Sequence, residues 1–163
     1  MRGRILGVLA GLVLAAGVQA DPPEGYPFVP YDRGLQLARE QGKPIFLYFG
    51  RYGCGYCDKT NREAFSVPEV RDRYTEHYVL VYVDAESGRR LKLPTGERIT
   101  EKELGTRFNA FVTPVFLFLD TDGNPLLKQA GLRTAGDFLA YDDYVRGGEY
   151  RTRSFKDFEA SRR

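Results

Sequence analysis

The sequence predicts an α/β fold, a central mixed β-sheet flanked by helices, and three observations carry that expectation. Ile45-Phe46-Leu47-Tyr48-Phe49, Tyr78 to Asp84 and Val115 to Leu119 are short, apolar-dense runs of the kind buried on both faces of a sheet. Helix start signals lie between the first two, so a helical crossover is expected to join them as parallel neighbours. After the third, Asp122-Gly123 marks a tight turn, and Pro125 to Ala130 returns beside it as an antiparallel hairpin.

The chain has 163 residues, enough for one domain of ordinary size with a core of useful volume. Eleven Phe and eleven Tyr make that core aromatic-rich. Residues 1–20 stand apart: Arg2 and Arg4 precede the acid-free apolar stretch Ile5 to Val18, and Val18-Gln19-Ala20 offers small residues before Asp21. This reads as a secretory signal peptide. The stretch is interrupted by Gly7, Gly11 and Gly17 and falls short of the roughly 18 residues that span a bilayer, so cleavage is expected over anchoring. Without Arg2 and Arg4, the 24 basic side chains fall to 22, equal to the 22 acidic ones. A near-neutral exported protein has no large positive field to attract nucleic acid or a membrane surface. Export also places the cysteines where a disulfide can form and persist.

Taken in order, Asp21 to Pro30 is rich in proline and reads as an extended arm, with Tyr26, Phe28 and Val29 available to cover a sheet edge. Residues 31–146 form the domain proper. Asp32 is the expected N-cap of a first helix to Gln41, which Gly42 and Pro44 close. The strand Ile45 to Phe49 follows and is expected to be central. A helix then runs from the cysteine motif to about Phe65, and Ser66-Val67-Pro68-Glu69 resembles a capping box opening another through Tyr74. The strand Tyr78 to Asp84 is dense in β-branched and aromatic residues. Residues 85–99, with Ser87-Gly88 and Pro94-Thr95-Gly96 as turn signals, read as a surface loop or small hairpin. Thr100 and Glu103 form a capping box, and Leu104, Phe108 and Phe111 give the following helix an apolar stripe. Thr134 with Asp137 starts the last helix, whose Phe138, Tyr141 and Val145 share a side; Gly147-Gly148 ends it. In the tail, residues 147–163, Tyr150, Phe155 and Phe158 are expected to dock back in part, with fraying at Ser161-Arg162-Arg163.

The chemistry concentrates in Gly50-Arg51-Tyr52-Gly53-Cys54-Gly55-Tyr56-Cys57, which holds every cysteine in the chain. A strand delivers Cys54 to a helix start, where unpaired N–H groups and the local dipole lower a thiol pKa. Cys57 lies one turn further in. Cys54 is therefore expected to attack as nucleophile and Cys57 to resolve the mixed disulfide. A disulfide kept only for stability is the alternative, but closing so short a loop is worth only about 2 kcal/mol. Zinc wants about four ligands, and two cysteines with one histidine do not supply them, so no metal and no cofactor are expected. Proline at the mouth of a central strand is the second signal. A cis Thr113-Pro114 bond would leave the backbone of Thr113 free to pair with an extended substrate. Trans is the ordinary state of such a bond, so the residues alone favour a trans proline opening the strand. His77 lies at a helix end in a surface or capping position, Arg51 and Lys59 read as solvated charges beside the motif, and Tyr52 and Tyr56 suit either an apolar rim or the aromatic core.

Strand, Cys54-Gly55-Tyr56-Cys57, helix, strand, helix, Thr113-Pro114, hairpin and helix together resemble the thioredoxin family over Pro27 to Val145. The resemblance implies the thioredoxin fold, a cis Thr113-Pro114 bond, and a substrate-binding role for Thr113, Pro114 and Tyr56 beside catalytic Cys54 and Cys57. With its signal peptide and tail, the chain looks most like secreted bacterial members associated with sulphur oxidation (SoxW-like). It departs from thioredoxin in having Tyr48 where that protein carries a buried aspartate, and in lacking its W-C-G-P-C surroundings. Gly-Tyr between the cysteines and threonine before the proline are similar instead to periplasmic disulfide isomerases, whose separate dimerisation domain this chain is too short to hold. The implied function is a periplasmic thiol–disulfide oxidoreductase that reduces or isomerises disulfides. Its expected partners are cysteine-containing exported proteins and a membrane or periplasmic electron donor, and the chain is expected to act as a monomer. The competing class is a non-enzymatic binding module of the same fold with a structural disulfide.

Overall fold

In the computed structural model, residues 22–162 are described; the expected signal peptide, its cleavage point and Arg163 lie outside them. The arm enters through Tyr26, whose hydroxyl donates to the Phe65 carbonyl at 2.8 Å. The first helix, α1, spans Tyr31–Gln41 with Pro30 as its N-cap, two residues before the Asp32 cap expected. The extended backbone of Pro30 already turns its carbonyl to the Gly34 N–H at 2.8 Å, which leaves Asp32 inside the first turn, where its charge favours the helix amino end. Strand β1 is Ile45–Gly50, buried along its whole length. Helix α2, Gly55–Glu63, begins at Cys54.

Helix α3, Pro68–His77, corrects the expected Ser66–Glu69 box: its N-cap is Val67, with no side-chain cap. Pro68 has no N–H to satisfy and a φ suited to the first helical position, so it fixes the start one residue past Ser66. The Ser66 hydroxyl donates back to the Arg62 carbonyl at 2.6 Å, and Glu69 pairs with Arg73 at 2.8 Å. Strand β2 is Val79–Asp84, Tyr78 being taken up as the cap of α3. Residues 85–99 contain the hairpin strand β3, Arg90–Lys92, which pairs with β4, Arg98–Thr100; Leu91 and Ile99 point inward while the arginines and lysine point out. Helix α4, Glu101–Arg107, carries the Thr100–Glu103 capping box as expected. Its stripe is shorter than predicted. Leu104 is buried and Phe108 partly so, but the helix stops at Arg107, Asn109 turns through φ 52°, and Phe111 is left 73% exposed.

Strands β5, Val115–Leu119, and β6, Pro125–Ala130, form the predicted hairpin. Helix α5, Ala135–Arg146, opens on the Thr134–Asp137 box. A single 3-10 turn at Glu149–Arg151 and helix α6, Phe155–Ala160, complete the chain. The tail is docked more fully than expected: Phe158 is buried, the Tyr144 hydroxyl donates to the Arg153 carbonyl at 2.6 Å, and Arg162 pairs with Asp143 at 2.8 Å.

The main sheet has the order β2-β1-β5-β6, with β1 parallel to β2 and antiparallel to β5. Both faces are covered, which explains the unbroken apolarity of β1. Alternate side chains separate into two cores. Phe46 and Tyr48 join Phe65, Tyr74, Phe116, Phe118 and Phe138 under α2, α3 and α5 in a largely aromatic cluster. Ile45, Leu47 and Phe49 join Val79, Val81, Val83 and Leu117 on the other face, beneath α1, α4 and the small hairpin. Gly34 lets α1 lie directly on β2, since a Cβ there would stand 2.2 Å from a Val81 methyl. No helix among the described residues is long and apolar enough to cross a membrane.

Candidate functional site

The site forms where β1 runs out. After Gly50 the chain turns through Arg51, Tyr52 and Gly53, and Gly53 adopts φ 70°, a conformation that costs a side-chain-bearing residue energy. The turn is closed by the Cys54 N–H donating to the Arg51 carbonyl at 3.3 Å. Cys54 is thereby set as the N-cap of α2, and its Sγ accepts from the Cys57 N–H at 3.2 Å. The two cysteines form a disulfide with an S–S distance of 2.08 Å and Cα atoms 5.2 Å apart. Cys54 is 5% exposed and Cys57 1%, so the outer sulfur is the one at the helix start.

Thr113-Pro114 is a cis peptide bond at the entrance to β5, as the family resemblance implies and against the trans bond that the residues alone favour. Tyr56 and Thr113 are brought to one cleft of about 600 Å³, whose walls also include Arg51, Glu86, Lys102 and Phe111. Cys54, Cys57 and Pro114 do not line it; the cleft begins at the residues beside them in the chain. Among the described residues, Tyr52, Tyr56, Phe111 and Val112 are the large apolar side chains left in solvent, and all lie in the segments carrying the disulfide and the cis bond.

Several polar residues take positions that sequence patterns do not reveal. Arg51 is not a free surface charge: its Nε donates to the Thr113 hydroxyl at 3.1 Å, and its Nη1 pairs with Glu86 at 3.2 Å. Sixty-two residues separate Arg51 from Thr113, so no local pattern announces the bond. Lys59 turns instead to Glu63, 3.9 Å away on its own helix. Tyr48 is fully buried and donates to the Asn61 Oδ1 at 3.2 Å; burial pushes its phenol far above the ordinary tyrosine value, so it remains a neutral donor. His77 sits against the buried Asp142 carboxylate at 2.9 Å, which also accepts from the Tyr78 hydroxyl at 2.9 Å. This cluster ties the end of α3 to α5 and takes no part in the cysteine site. Among the described residues, no group of three or more His, Cys, Asp or Glu side chains is arranged to hold a metal ion.

Comparison with known proteins places this geometry. The thioredoxin-like domain family matches residues 31–146. An uncharacterized protein of Archaeoglobus fulgidus is 31% identical over 83 residues, 50% of this chain and 64% of that protein's length. A thioredoxin-fold protein from Helicobacter pylori superposes with a TM-score of 0.65 at 23% identity, covering 74% of this chain and 80% of the other. A thioredoxin from Thermus thermophilus gives 0.60 at 26% identity, covering 74% and 86%.

Proposed function

The chain belongs to the thioredoxin-like family, and from that premise we propose that it is a periplasmic thiol–disulfide oxidoreductase of the secreted bacterial type, reducing or isomerising disulfides of exported proteins. The observation that carries the proposal is the Cys54–Cys57 disulfide at the start of α2, with the outer sulfur on Cys54. In the reduced protein, the helix amino end and the Cys57 N–H favour a Cys54 thiolate. That thiolate attacks one sulfur of a substrate disulfide. A Cys54–substrate bond forms, the substrate S–S bond breaks, and one substrate thiol leaves with a proton. The Cys57 thiolate then attacks Cys54 Sγ, which restores the internal disulfide and releases the second substrate thiol. Two electrons pass from the protein to the substrate, and an external dithiol donor in the periplasm or membrane returns them.

No imidazolium lies between the cysteines to stabilise a reduced thiolate, which favours the reducing or isomerising direction over strong oxidation. Tyr56 and Thr113 supply the substrate wall and Pro114 the cis turn beside it; the Thr113 backbone, without a backbone partner among the described residues, is suited to an extended chain.

The pre-reduced protein is expected to reduce a peptide disulfide, Cys54→Ser to abolish this, and Cys57→Ala to accumulate a mixed disulfide on Cys54. Full activity in Cys54→Ser, or a Cys54–Cys57 bond that resists mild dithiol reductant, would overturn the proposal in favour of a binding module with a structural disulfide.

A further inference from the structure

We propose that Arg51 is a positioning residue that holds the Thr113–Pro114 loop against the cysteine turn and thereby sets the affinity for extended polypeptide disulfides; this rests on the redox reading above. The loop from α4 to β5 is anchored at its ends. Before it, the Ala110 N–H donates to the Gly105 carbonyl at 2.8 Å; after it, the Pro114 carbonyl accepts from the Gly131 N–H at 2.8 Å. Between these anchors, Phe111 and Val112 project into solvent and contribute little packing. Among the described residues, the N–H and C=O of Thr113 have no backbone partner. The bond from Arg51 Nε to the Thr113 hydroxyl is what fixes this middle stretch.

Arg51 reaches three segments at once. Its carbonyl holds the Cys54 N–H at 3.3 Å, its Nε holds Thr113 at 3.1 Å, and its Nη1 pairs with Glu86, just past β2, at 3.2 Å. A guanidinium fork meets two acceptors in a fixed geometry, which a lysine ammonium does not reproduce. The Arg51 and Glu86 side chains are 45% and 62% exposed, so their ion pair adds little to folding stability. Its work is to aim the Nε at Thr113. With that hydroxyl occupied by Arg51, the Thr113 backbone is left to face a substrate strand.

The test compares wild type, Arg51→Ala, Arg51→Lys, Thr113→Val and the Arg51→Ala/Thr113→Val double variant, each pre-reduced. The substrates are an extended peptide disulfide and 2-hydroxyethyl disulfide, which is too small to pair with the Thr113 backbone. Selectivity for the peptide is expected to fall about fivefold in Arg51→Ala, the fold-change of roughly one partly exposed hydrogen bond. The loss should fall on the half-saturating concentration and not on the limiting rate. Thr113→Val should match it, the double variant should be no worse than either single one, and Arg51→Lys should recover only part. Thr113→Val carries the test alone should Arg51→Ala not fold. Unchanged half-saturation, additive losses in the double variant, or equal losses on both substrates would each overturn the role. A wild type that exchanges with neither disulfide would instead overturn the redox reading beneath it.

Discussion

At Tyr48 the chain sets a neutral phenol, fully buried and bonded to Asn61, six residues before the outer cysteine. Because burial raises its pKa far beyond the neutral range, it neither gains nor loses a proton where thiols react. Tyr48→Phe is therefore expected to cost about 1 kcal/mol of stability, the value of roughly one hydrogen bond. The shape of the pH–rate profile for disulfide exchange should stay as in wild type. A profile displaced by the substitution would show that the hydroxyl serves Cys57 directly. At this scale the sequence revealed the pair Cys54 and Cys57 because both lie within one helical turn. Arg51 was hidden: its partner Thr113 lies in a loop that only the sheet topology brings close.

Elements were legible wherever their signals are adjacent in the chain. Both threonine boxes, Thr100–Glu103 and Thr134–Asp137, are closed reciprocally. Ser66 carried a similar pattern and failed, because the proline two residues later fixes the start of α3 by itself. The two cases predict different outcomes. Thr134→Ala should lower stability by about 1 kcal/mol through the loss of the α5 cap, and Ser66→Ala by a few tenths at most. Chemical denaturation of the two variants checks this, and equal losses would refute the assignment of caps. The truncated stripe of α4 had one local signal, Asn109, which takes the left-handed turn just past the helix. Lys128, on β6, donates to the Phe108 and Asn109 carbonyls at 2.8 and 3.1 Å and so satisfies the end of α4. That ending frees Phe111 for the site rather than the core.

Across the whole molecule, the two faces of the sheet differ in chemistry: one core is built largely of aromatic rings, the other largely of aliphatic side chains. Burial raises the Tyr26 and Tyr141 phenols to about 12, those of Tyr48 and Tyr78 further, and that of Tyr74 well above the ordinary tyrosine value. An unfolded tyrosine titrates at about 10, so the folded form keeps its advantage below that pH and loses it as pH rises through about 12. Part of the phenolate absorbance should therefore appear only in step with loss of the far-ultraviolet circular dichroism signal. Smooth phenolate formation with the fold intact would contradict the buried, neutral tyrosine core. The outline of this architecture was readable because apolar runs and helical spacing alternate along the chain; the sorting of rings from aliphatics emerges only once strand register is known. The arm has a different importance. Val29 donates its N–H to the Leu80 carbonyl at 2.9 Å and accepts from the Tyr82 N–H at 3.2 Å, outside the named strands. Shortening the amino terminus past that residue would bare two hydrogen-bonding groups on the outer side of β2, a template on which another chain's strand can add. A chain shortened past Val29 is therefore expected to self-associate more than one that retains it, and sedimentation of the two as a function of concentration checks this.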